Sequence, residues 1–390
     1  MSITITHRPR GRTVVASVVA TLAVVLSGCT SDASADDDSY LVGFPALLSG
    51  PAAFAGVPIT QGAELAAEEI NDSGFLGEGK TVELEMEDVK SDPAQAIALY
   101  KQFAADGASG VLCCGLSAEA GALAPVMTQD QVPGIVTSAI LADITEPPHL
   151  FRPHILPSAE GGIYDQFIDT VVPAEDIETV VIVVNGDNDA MVADGEVWKA
   201  GLERNGAEVV KTVSTNSTDT NFTGPATEIA SIDPDAVVLS TLGTPSALMA
   251  RALRERGYDK RLMSSYGIDS AELFKTSAKG LAGTLFAAPF HAEFSDNEEA
   301  ATFIEAYREK YDEDPDIFAA QGYTSMWFLA MGIKEADSGD PVDVGSALSG
   351  IDTQDSVYGE ITYVEGQATL SEPGTYLEWT EDGELEEWTG

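Results

Sequence analysis

The chain has 390 residues, 44% of them hydrophobic, and sets 64 Asp and Glu against 20 Lys and Arg, for a formal charge of −44 at pH 7. So acidic a surface repels nucleic acid and anionic lipid headgroups, which removes nucleic-acid readers and basic membrane-surface binders from consideration. Only 4 His and 3 Cys are present, too few and too scattered for a clustered metal centre, and no zinc or haem site is expected.

The first residues carry Arg8, Arg10 and Arg12 and no acid, and Val14 to Leu26 is then apolar apart from Ser17 and Thr21. That run is too short for a permanent membrane helix and reads as the hydrophobic region of a signal peptide, residues 1–28. It ends in Leu26-Ser27-Gly28-Cys29, small residues before a cysteine, the order that a lipoprotein signal peptidase processes. Cys29 is therefore expected to carry a lipid that holds the mature chain on the outer face of the cell membrane, each buried methylene adding about 0.8 kcal/mol. The three arginines lost with residues 1–28 take the formal charge from −44 to −47. Residues 29–39, with Asp32, Asp36, Asp37 and Asp38, cannot build a core and read as a flexible acidic tether.

The folded body begins near Tyr40. About 350 residues remain, more than one core usually supports, so two lobes are expected. Short β-rich runs alternate with helical segments, the signature of parallel sheets built from βαβ units. The first series is strand Tyr40 to Pro45, a helix ending near Asn71, strand Thr81 to Val89, a helix from Asp92-Pro93 to Ala105, strand Gly110 to Cys114, a helix from Ser117 and strand Gly134 to Thr137. A second series has helix Gly161 to Val172, strand Thr179 to Val184, helix Ala190 to Asn205, strand Glu208 to Val213 and helix Phe222 to Ser231. It continues with strand Ala236 to Ser240, helix Pro245 to Arg256, and strands Arg261 to Ser265 and Gly283 to Ala288. Ser295-Asp296-Asn297-Glu298 then has the form of a capping box before an amphipathic helix, and Ile317 to Ala336 is a further helix. Tyr358 to Tyr363, Ala368 to Leu370 and Tyr376 to Trp379 read as short strands.

Gly74 to Thr81 satisfies the G-x-x-x-x-G-K-[ST] phosphate-loop pattern, but it follows a helix and leads into a strand, the reverse of the order phosphate binding needs. Cys113 and Cys114 lie in an apolar run and read as buried, inert thiols, because adjacent cysteines rarely close a disulfide without strain. His149, His154 and His291 read as surface or loop histidines, and no G-x-S-x-G elbow or positioned nucleophile and base can be named. Two loops at strand C-termini carry more weight: Gly115 to Glu119, and Thr137 to Leu141. Ligands of open parallel sheets bind beyond the carboxyl ends of strands, and Ser117 would serve either as a helix cap or as a ligand contact.

Gly43 to Pro51, Ala67-Glu68-Glu69-Ile70-Asn71 and Glu87 to Pro93, with the order of elements from Tyr40 to about Tyr363, resemble the leucine/isoleucine/valine-binding protein family. The resemblance implies an α/β chain of two Rossmann-like lobes with parallel sheets joined by a three-strand hinge, the type I periplasmic-binding fold. Lobe 1 is expected at 40–157 and 288–357, and lobe 2 at 158–287 and 358–390. It implies a monomeric receptor that closes on a small-molecule ligand and delivers it to an ABC permease, with no catalytic residue, cofactor or metal. A sensory module on the same fold is the alternative.

Residue by residue, Ser117 and Ala118 fall where the family holds a ligand carboxylate, and Ser138, Ala139 and Leu141 on the loop that usually offers a carbonyl and a hydroxyl to an α-ammonium. Tyr266 lies where amino-acid binders often place an acid. Ala190, with Met191 beside it, and Leu242 stand where aromatic residues often close the cleft, while Phe54 and Phe318 are candidate walls for an apolar ligand part. Leu141 cannot hydrogen-bond through its side chain. An unpaired ammonium in a closed cleft carries a penalty of several kcal/mol, so a standard amino acid requires Asp269 or Glu119 to replace the missing acid.

Overall fold

The computed structural model describes residues 39–50, 52–370 and 374–390. The expected signal peptide, Cys29 and most of the tether lie outside these residues. Among the described residues, no helix is long and apolar enough to cross a membrane.

A strand buried on both faces needs a run of apolar residues, and a strand half exposed needs alternation; the first sheet contains both. Its elements are β1 (Ser39–Ala46), α1 (Ala53–Asp72), β2 (Thr81–Asp88), α2 (Pro93–Ala105), β3 (Gly110–Cys113), α3 (Ser117–Asp130), β4 (Gly134–Val136) and β5 (Leu150–Phe151). The strands pair in parallel in the order β2-β1-β3-β4-β5. β2 alternates at the edge, whereas β3 and β4 are buried throughout. Asp92 caps α2 by accepting from the Ala94 N–H at 2.9 Å.

The second sheet follows with α4 (Ile163–Ala174), β6 (Thr179–Asn185), α5 (Asp189–Arg204), β7 (Glu208–Thr215), α6 (Thr223–Ile232), β8 (Ala236–Ser240), α7 (Gly243–Glu255), β9 (Arg261–Ser265), a 3-10 turn at Tyr266–Ile268, α8 (Ala271–Thr276) and β10 (Thr284–Ala288). The chain then passes through α9 (Glu298–Tyr311), α10 (Ile317–Ala336) and α11 (Pro341–Leu348). Next come β11 (Thr353–Ser356), β12 (Gly359–Val364) and β13 (Gln367–Leu370), and last β14 (Thr375–Trp379) and β15 (Leu385–Glu387). β14 and β15 add antiparallel strands to the second sheet, whose order is β15-β14-β10-β9-β8-β6-β7. β11 to β13 form a third, antiparallel sheet, tied to the end of the first by a bridge between Gln367 and Arg152. The two parallel sheets are those of the type I periplasmic-binding fold.

α10 is buried on nearly every side and packs against α1, an arrangement that needs small residues where the helices cross. A Cβ on Gly62 would collide with the Ala319 carbonyl, and one on Gly322 with the Ile59 carbonyl. The close crossing carries Phe54 and Phe318, each in the first turn of its helix, into edge-to-face contact with ring centroids 5.8 Å apart.

Several local expectations need correction. Cys113 and Cys114 form a disulfide across a Cα–Cα distance of 3.7 Å, and Cys114 takes the left-handed backbone at φ 63°. They are not free thiols. His154 is fully buried rather than on the surface. Asn297, not Ser295, caps α9 by accepting from the Ala300 N–H at 2.8 Å, while Ser295 Oγ accepts from the His291 N–H at 3.1 Å. Gly74 to Lys80 is a run of turns between α1 and β2, which is no setting for a phosphate.

Candidate ligand-binding cleft

The loops that follow β3 and β4 are laced together by the backbone. Thr137 N–H donates to the Cys113 carbonyl at 2.8 Å and Ala139 N–H to the Cys114 carbonyl at 3.0 Å. Ser117 begins α3 without capping it: the cap residue is Leu116, and the Glu119 carboxylate accepts from the Leu116 N–H at 3.3 Å. Burial raises the Glu119 carboxyl to about 7, against the lowering effect of the Leu116 and Gly115 amides. Ala118 is exposed and Ser117 half-buried, so of this loop Glu119 is the residue turned inward.

In the second sheet, α5 begins at a closed cap, because Asn188 Oδ1 accepts from both the Ala190 and Met191 N–H groups, at 3.1 and 3.3 Å. Those two amides are occupied, which leaves the side chains of Ala190 and Met191, both buried, as what the position offers. Leu242 is held by its N–H to Asn185 Oδ1 at 2.9 Å. Asp194, on the buried face of α5, accepts from Ser240 Oγ at 2.7 Å, and burial raises its carboxyl to about 6 against the Ser240, Tyr164 and Trp198 donors.

The two sheets meet through named side chains. Gln321 Nε2 on α10 donates to the Tyr266 hydroxyl at 3.2 Å. A Cβ on Gly243 at the start of α7 would lie 3.5 Å from the Phe54 ring and 3.0 Å from the Gly267 carbonyl. Phe54, Phe318 and Tyr266 thus lie in one neighbourhood with Gly243 and Gly267. No side-chain hydrogen bond or ring contact joins Ser117, Ser138, Ala190 or Met191 to this group among the described residues. Leu141 is held elsewhere, its carbonyl accepting from Arg152 Nη2.

Sequence reasoning missed Arg152 and Gln321. Arg152 is 1% exposed, and its Nη1 donates to Gln367 Oε1 at 2.9 Å. Desolvation lowers the guanidinium to about 10, with Tyr266 and Asp143 acting in the opposite direction. His154 beside it is held neutral, lowered to about 3 by burial and then by Arg152. The only signal for Arg152 was a cation placed directly after the apolar pair Leu150-Phe151. Asp269 is 6% exposed; burial first and the charge of Asp316, the cap of α10, second raise it to about 8. Among the described residues, no group of three His, Cys, Asp or Glu is placed to hold a metal ion.

Known proteins resemble this chain over most of its length. A Leu/Ile/Val-binding protein homolog of Brucella abortus is 26% identical over 328 residues, covering 83% of this chain and 86% of that one. A leucine-, isoleucine-, valine-, threonine- and alanine-binding protein of Pseudomonas aeruginosa is 25% identical, covering 92% and 95%. The crystal structure of a branched-chain amino acid transporter substrate-binding protein from Streptococcus pneumoniae, in complex with isoleucine, superposes with a TM-score of 0.79 at 25% identity, covering 89% of this chain and 98% of that one. These similar proteins are substrate-binding proteins and not enzymes. The family model described as periplasmic binding protein matches residues 39–384, and the chain belongs to that family.

Proposed function

We propose that the protein is the extracytoplasmic receptor of an ABC importer, anchored through lipid on Cys29, which captures a small polar ligand between two lobes that close on a hinge. The bodies that move are 40–157 with 288–357 and 158–287 with 358–390. Closure shifts the population toward the form that a membrane permease recognises. The observation that carries this reading is the contact of the two sheets through Tyr266 and Gln321, and through Phe54 and Gly243, around buried polar atoms that lack partners.

The binding proteins it resembles take branched-chain amino acids, and Ser117, Ala118, Ser138, Ala139 and Leu141 stand at the corresponding loops. Tyr266, Ala190, Met191 and Leu242 depart from that pattern, which favours a branched-chain amino acid-like compound, an amide or a small organic acid over a commitment to leucine. Thermal-shift screening of the mature protein with leucine, isobutyramide, isovalerate, benzoate and isoamylamine tests the reading. At least one compound raises the melting temperature by several degrees; a flat response across a wider library of such solutes would remove its main support. The anchor is checked by Cys29→Ala, which releases the protein from the membrane fraction; continued retention would mean that the lipid is not what holds it.

A further inference from the structure

Only Cys114, Gly115 and Leu116 separate the end of β3 from the start of α3, so their backbone aims the first turn of that helix, where Ser117 and Ala118 sit. Cys114 holds the left-handed conformation at φ 63°, which a residue with a Cβ leaves unless something keeps it there. Two supports do so. Gly115 is seated so tightly that a Cβ on it would lie 2.3 Å from Leu47 Cδ1, and the bond from Cys114 to Cys113 closes a ring through the peptide they share. The first support is permanent. The second opens on reduction.

The loop after β4 hangs on this ring. The Cys113 carbonyl accepts from the Thr137 N–H at 2.8 Å and from Thr137 Oγ1 at 3.0 Å, and the Cys114 carbonyl accepts from the Ala139 N–H at 3.0 Å. The Thr137 bonds continue the pairing of β3 with β4, whereas the Ala139 bond depends on where the Cys114 backbone points its carbonyl. Leu47, Val136 and Ala139 share one buried cluster with the two cysteines, so a change at Cys114 is felt by the loops after β1, β3 and β4 together. Both cysteines are 1% exposed, and a reductant reaches the sulfurs only when these loops part.

We propose that Cys113–Cys114 is a redox switch on ligand capture: the oxidised pair keeps the loops after β3 and β4 in the form that takes the ligand, and a dithiol releases them. The exchange balances. A thiolate of the dithiol attacks one sulfur, the Cys113–Cys114 bond breaks, and the second thiol resolves the mixed disulfide. Two cysteine thiols remain, and the reductant, now a disulfide, has given up two electrons and two protons. Cys114 then takes an ordinary conformation, its carbonyl leaves Ala139, and the first turn of α3 is re-aimed. This rests on the receptor reading above and adds its regulation: ligand and reductant oppose one another, so bound ligand disfavours reduction.

The test is isothermal titration of the mature protein with leucine, isobutyramide, isovalerate, benzoate and isoamylamine, before and after dithiothreitol, with mass spectrometry to verify the reduction. Whichever compound binds the oxidised form binds the reduced form about 10-fold more weakly, and reoxidation restores the affinity. Cys113→Ser with Cys114→Ser matches the reduced protein and ignores dithiothreitol. Cys113→Ser with Cys114→Gly recovers most of the affinity, because glycine holds the left-handed form without the bond. Without ligand, the Ala139 amide exchanges with solvent faster once the bond is open. Equal affinity of the oxidised and reduced forms overturns the switch, whatever the melting temperature does, since the bond then only braces the core. A bond that dithiothreitol cannot open in the folded, ligand-free protein overturns it too, as does a Cys114→Gly variant no better than the Cys114→Ser one. Should the variants fail to fold, reduction of the folded parent gives the decision. If no compound binds the oxidised protein, the receptor reading falls and takes the switch with it.

Discussion

Arg152 and Asp269 are both titratable groups buried in the protein, which provides for them in opposite ways. Arg152 spends two guanidinium nitrogens on Leu141 O and Gln367 Oε1, and its own backbone is tied to Gly366 and Ala368 by hydrogen bonds of 2.8 Å each. Its charge is desolvated but held. Asp269 uses its N–H within its own turn, to Tyr266 O at 2.8 Å, and leaves its carboxyl Oδ2 buried without a donor. The supply of internal partners separates the two: Arg152 has two of its three guanidinium nitrogens paired, with Nε left over, whereas Asp269 Oδ2 has no donor.

The comparison breaks most visibly at Arg152. Replacing it by Met strips donors from Leu141 O and Gln367 Oε1 and loosens the third sheet, so denaturant unfolding should register a loss of about 3 kcal/mol. A loss below about 1 kcal/mol would move Arg152 into the same class as Asp269. A smaller effect sharpens the other side. Unfolded aspartate titrates near 3.8 and folded Asp269 near 8, so across that interval the folded protein holds a proton that the unfolded chain has released. Stability present below the lower value is lost as pH rises through the upper one. Without ligand, Asp269→Asn should be spared that loss, its melting temperature gaining about 2–4 °C on the parent between roughly pH 5 and pH 8. Parallel melting curves for the two proteins would mean that Asp269 ionises freely in the folded state.

Much of the architecture could be read in advance, for reasons that differ between elements. α10 runs from Ile317 to Ala336 as expected, because Asp316 caps its start and an apolar stretch of that length has one good solution. Strands such as β6 announce themselves by runs of β-branched residues. By contrast β5, with two residues, and β15, with three, have no pattern to detect, and they exist only because neighbouring strands offer them a ladder. α8 and α11 are similarly short. Of the candidate site residues, Phe54 and Phe318 do meet, and Tyr266 is tied to the same helix as Phe318 through Gln321, whereas Ser117 and Ser138 on the loops after β3 and β4 make no side-chain contact with them. Arg152 and Gln321 were not legible. A polar residue inside an apolar run looks the same in sequence whether its partner is a distant glutamine, as for Arg152, or missing, as for Gln321 Oε1. The Cys113–Cys114 bond was misjudged because the left-handed conformation at Cys114, which lets neighbouring cysteines close a ring, is set by the turn into Gly115 and leaves no trace in composition.

That ring lies under the loop whose amides at Thr137 and Ala139 it receives through its carbonyl groups. A batch folded in a reducing cytoplasm and a batch secreted into an oxidising compartment would accordingly be different molecules beneath this loop, differing by two hydrogens. Measurements taken on the two are comparable only once thiol content is titrated.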